Sequence, residues 1–60
     1  MTAAHDAAIR RAKAYCILVC AKYHVSGESL KMALVACEHA PAKATRCYLA
    51  ILRSLPKENR

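Results

Sequence analysis

Soft metal ligands recur along this chain. Cys16, Cys20 and His24 follow one another at four-residue steps, and Cys37, His39 and Cys47 come later. Thiolate and imidazole are the groups that gather zinc or copper. The usual zinc arrangement takes two ligands from a tight C-x-x-C knuckle, which is absent, and free cysteine is among the commonest small buried residues. The spacing therefore points to core packing, with no metal and no cofactor expected. Two cysteines four apart on one helix are also poorly placed to bridge each other. Cysteine beside histidine can form a nucleophile and its base, but Cys37 and His39 stand two apart, where helical side chains do not face each other. There is no Gly-rich phosphate loop, no Ser-His-Asp pattern and no pair of carboxylates on one face, so the residues point away from an enzyme.

The other available chemistry is cationic. Ten Lys and Arg stand against Asp6, Glu28, Glu38 and Glu58, a formal net charge of +6 on 60 residues. Such an excess on a small domain sets up a positive field that suits phosphate backbones or acidic protein faces. The longest uncharged run, residues 14–21, is far shorter than the roughly 20 residues that cross a bilayer. No signal-peptide pattern precedes it, because Lys13 and Lys22 bracket it closely, so a cytoplasmic protein with reduced thiols and no membrane partner is expected.

Three helices must position these groups, giving an all-α, compact three-helix bundle in a single domain. Residues 2–23 contain no Gly or Pro, open on Thr2 as an N-cap and place Asp6 near the positive end of the helix dipole. Ile9, Ala12, Cys16, Val19, Cys20 and Tyr23 recur on one face of it, while Tyr15 and Leu18 lie off that face. The middle of this helix is thus apolar nearly all round and wants two neighbours, one of which a second copy of the chain would supply. Ser26 reads as the N-cap of a second helix over residues 27–39, with Val25 stapled onto Leu30. Leu30, Ala33, Leu34 and Cys37 form its stripe. Pro41 suits the first turn of a third helix over residues 41–55, stopped by Pro56, with a core face of Ala44, Cys47, Tyr48, Ile51, Leu52 and Leu55. Residues 56–60 read as a frayed tail.

The close join between the second and third patterns invites a helix-turn-helix reading, in which the last helix enters the major groove. Lys43, Thr45, Arg46 and Arg53 would then meet base edges or phosphates, and Arg10, Arg11 and Lys13 would hold the backbone. A short helical hairpin is equally what any three-helix bundle needs. The leading expectation is a small nucleic-acid-binding regulator acting by occupancy, with a homodimer as its expected state. The alternative is a protein-binding inhibitor or adaptor that blocks a host complex, in the style of phage and mobile-element proteins such as the anti-CRISPRs. It would dock through Tyr15, Leu18 and Leu49 against an acidic surface.

Overall fold

The computed structural model describes residues 3–55, which form three helices in mutual contact: α1 (Ala3–Lys22), α2 (Glu28–His39) and α3 (Pro41–Ser54). No strand occurs among the described residues, and none of their helices is long and apolar enough to cross a membrane. The N-cap expected at Thr2, the stop at Pro56 and the tail at residues 56–60 lie outside them.

α1 is the spine. At 1.5 Å per residue its 20 residues span about 30 Å, and both other helices pack on it more than on each other. The chain leaves α1 through a Schellman turn. His24 takes a left-handed conformation (φ 61°), the Val25 amide donates to the Cys20 carbonyl at 2.8 Å, and the His24 amide donates to the Ala21 carbonyl at 3.4 Å. Tyr23, expected in the core stripe, falls at this turn and is 55% exposed, because the backbone leaves the helix before the ring reaches a neighbour. Val25 and Leu30 both pack against the core, as a staple would place them. The cap itself falls one residue later than expected. Gly27 (φ 66°, ψ −136°) holds the N-cap position of α2 with no side-chain hydrogen bond, a backbone conformation that Ser26 could not have supplied without strain.

α2 runs back along α1. The Cys37 thiol donates to the Ala12 carbonyl (3.7 Å), and the Lys13 ammonium donates to the Glu38 carboxylate at 2.6 Å. One residue, Ala40, then separates α2 from α3, and Pro41 starts the new helix where its missing N–H costs nothing. This joint is shorter than the three- to four-residue turn of a DNA-binding helix-turn-helix.

The core is thin and rich in thiols. Among the described residues only Ala12, Cys16, Val19, Cys20 and Cys37 are buried, and the largest fully enclosed side chains are Cys16 and Cys37. Val25, Leu30, Ala33, Leu34, Ala44 and Tyr48 cover this cluster from outside while staying partly exposed.

Candidate nucleic-acid interface

α3 contains three cations and no carboxylate. At 100° per residue, Pro41, Ala44, Thr45, Tyr48, Leu49, Ile51, Leu52 and Leu55 share one side, and all are half-buried; Ala42, Lys43, Arg46, Cys47, Ala50, Arg53 and Ser54 share the other, and all are exposed. Lys43, Arg46 and Arg53 follow each other at steps of three and seven along the exposed side, with Ala50 between the two arginines. Between the two arginines the exposed side holds only the small residues Cys47 and Ala50, so no bulky side chain stands in the way of a polyanion there.

Only some of the residues expected at this interface are brought together. Lys43, Arg46 and Arg53 share the α3 ridge. Thr45 belongs to the half-buried side of α3 and does not stand beside them. On α1, Lys13 reaches toward α2, so the opposite edge of the buried stripe borders α3, and Arg11 is exposed on that flank. Arg10 is exposed on the outer face of α1, 100° round from Arg11. Lys13 is already engaged. Its ammonium, by hydrogen bonding and by charge, holds the Glu38 carboxyl below its ordinary range, so it offers a phosphate less than a free lysine would. Of the residues expected to meet a protein partner, Tyr15 and Leu49 are half-buried within the bundle, and Leu18 alone is exposed.

The thiols occupy two environments. Cys16 and Cys20 lie with their sulphurs 4.0 Å apart, in the range of a weak S–H contact. Burial, then the neighbouring Cys16 sulphur, pushes the Cys37 thiol up to about 11, and the same pair of causes raises Cys20. Cys16 and then burial push the Tyr48 phenol up to about 12. These groups stay protonated and serve as packing at neutral pH. All four cysteines are free thiols, and among the described residues no three His, Cys, Asp or Glu side chains gather as a metal site. Cys47, expected in the core, is exposed. It lines a shallow apolar groove of about 260 Å³ with Ala36, Ala40, Lys43, Ala44 and Tyr48. The cause is the small side chains opposite: Ala36 and Ala40 are too short to cover the thiol.

Comparison with known proteins finds no matching family model, no matching curated protein and no matching solved structure.

Proposed function

We propose that this chain is a small nucleic-acid-binding regulatory protein that acts by occupancy, through the exposed face of α3. One observation carries the reading: the outer side of a 14-residue helix presents Lys43, Arg46 and Arg53, with Ala50 between the two arginines and no carboxylate anywhere along its length. A solvated face kept only for solubility mixes both signs of charge. A face of one sign suits a partner carrying the other, and closely spaced cations of this kind suit consecutive phosphates. Arg11, exposed on α1, would add a further cation to this interface. Contacts of this type fix position on a duplex without reading bases, so the binding is chiefly electrostatic. The free thiols suit a reducing, cytoplasmic setting.

Fluorescence anisotropy with a mixed-sequence DNA duplex across a salt series tests this. Three to four phosphate contacts give a log–log salt slope of about −3 to −4, which weakens binding by about 100-fold between 50 and 200 mM salt. Replacing Lys43→Ala and Arg46→Ala together lowers the slope by about two and weakens binding at least about tenfold. No binding at low salt, or affinity untouched by the double substitution, removes α3 as the interface.

A further inference from the structure

The shallow groove between α2 and α3 shares residues with the basic ridge. Lys43 and Cys47 stand on the exposed side of α3 and also line the groove, whose other walls are Ala36 of α2, Ala40 of the joint, and Ala44 and Tyr48 of α3. Lys43 is the one charged side chain among these. At about 260 Å³ the groove is smaller than the pockets of drug-sized ligands, which begin near about 300 Å³, and it has room for one planar ring system. Its three alanines let a flat group come close to the backbone. Tyr48 is held from within, because its hydroxyl is engaged by Cys16 in the core, while its ring stays half-exposed along the groove.

We propose that this groove takes one unpaired nucleobase of a single-stranded nucleic acid, whose adjoining phosphates lie along Lys43 and Arg46. The inference rests on the nucleic-acid reading and names the form of nucleic acid that the surface fits. Charge complementarity commits the groove to this occupant. A cation on its lip, continuous with a ridge of cations, suits an apolar ring carried on a chain of anions. A second copy of this chain, with its net charge of +6, would be repelled from the same lip. The chemistry of the walls agrees, since unpaired bases stack on aromatic side chains set beside a cationic track.

The ridge by itself is poorly equipped to read a duplex. Base edges in the major groove are met by polar side chains on the inserted helix, and Thr45 belongs to the half-buried side of α3. The one-residue joint before α3 is also shorter than the turn of a DNA-binding helix-turn-helix. A paired base has to leave its stack to reach the groove, whereas an unpaired one is free to turn out and enter. A duplex therefore meets the ridge alone, and a single strand meets the ridge and the groove together.

Fluorescence anisotropy on the full chain at about 0.1 M salt compares three ligands: an oligo-dT strand, which does not pair with itself, a strand of the same length that keeps the phosphates and lacks the bases, and a mixed-sequence duplex. The oligo-dT strand is expected to bind about tenfold or more tighter than the duplex, and the abasic strand to lose that advantage. The salt slope for the strand is expected to be shallower, about −0.7 per phosphate contact against about −0.9 for the duplex, so that its preference widens as salt rises. Ala36→Leu fills the groove from an exposed helical position without touching a cation, and leucine is a good helix former. This variant is expected to keep its helicity by circular dichroism and its duplex affinity, and to bind oligo-dT no better than the abasic strand. A duplex that binds as tightly as the strand, an abasic strand as tight as the intact one, or a strand preference that survives Ala36→Leu overturns the groove and leaves the phosphate ridge standing. If neither strand nor duplex binds at low salt, the nucleic-acid reading falls and the groove inference falls with it.

Discussion

α1 and α3 make an instructive contrast. α3 has the cleaner division between an apolar and a polar side, yet none of its residues is buried. α1 has no such division, being apolar on two sides through its middle, yet it supplies four of the five buried residues. Amphipathic patterning reports which way a helix faces. How deeply it sinks depends on how many neighbours it has and on how small the side chains between them are. α1 lies between two partners, and its inward side chains are alanine, cysteine and valine, small enough for backbones to close over them. α3 packs chiefly on α1 and only lightly on α2, with side chains too long to be enclosed by so short a chain, and so keeps its apolar residues half-wet and its cations free.

The sharpest way to break this contrast is to place the same charge in each region. Cys16→Asp puts a carboxylate where exposure is zero, and burying an unpaired charge costs several kcal/mol. In a domain this small the cooperative unfolding transition is expected to disappear. Leu52→Asp, on the half-buried side of α3, is expected to cost about 1–2 kcal/mol and leave a transition at lower temperature. Equal losses from the two would mean that α3 is as much a part of the core as α1.

Thiol chemistry reads the same contrast as a rate. With a water-soluble disulfide reagent on the folded protein, one thiol per chain is expected to react fast, Cys47, while Cys16, Cys20 and Cys37 wait for opening of the bundle. The expected separation in rate is about 100-fold or more, set by the free energy of that opening. Four thiols of equal speed would show the α1–α2 contact to be loose.

Alkaline titration follows with a smaller effect. Cys37 has an ordinary value near 9 and is held at about 11 in the fold, and Tyr48 is raised as well. Each binds its proton more tightly folded than unfolded. Stability is therefore full below about pH 9 and is lost as the pH rises toward 11, by up to about 2–3 kcal/mol for Cys37. Thermal melts across this window should show the fall, and Cys37→Ala should make it smaller while lowering the plateau, the remainder coming from Tyr48 and Cys20.

The smallest effect belongs to the end of the spine. His24 holds a left-handed backbone that glycine adopts freely, so His24→Gly is expected to raise stability by about 0.5 kcal/mol, seen as a rise of a few degrees in Tm. A fall would show that the imidazole does more than turn the chain.

Much of the fold was legible in the residues, for local reasons. Pro41 and Gly27 punctuate the chain, and the three-and-four periodicity of residues 9–20 marks the buried side of α1. What escaped depended on contacts between distant residues. Cys47 lies on the apolar edge of α3 by periodicity, but its exposure follows from two alanines on another segment, Ala36 and Ala40. Lys13 looks like one more free cation until Glu38, 25 residues away, is brought against it. Thr45 sits beside Arg46 in sequence and a quarter-turn away in space, enough to tuck it against the bundle. Of the interface, the α3 cations could be grouped by spacing alone; which α1 cations share their side could not, because that depends on which edge of α1 each neighbour takes.

The single residue between α2 and α3 sets a phase as well as a distance. Pro41 begins turning at once after Ala40, so the chain has no slack in which α3 could roll about its own axis. The angular position of Lys43, Arg46 and Arg53 is geared to α2, which is itself clamped to α1 at Ala12 and Lys13. One residue inserted at this joint would advance α3 by about 100° and bring its cations round toward the apolar cleft. The joint is thus the place where the length of the chain, rather than its chemistry, is under tightest constraint, and where a single-codon insertion would do more harm than most substitutions.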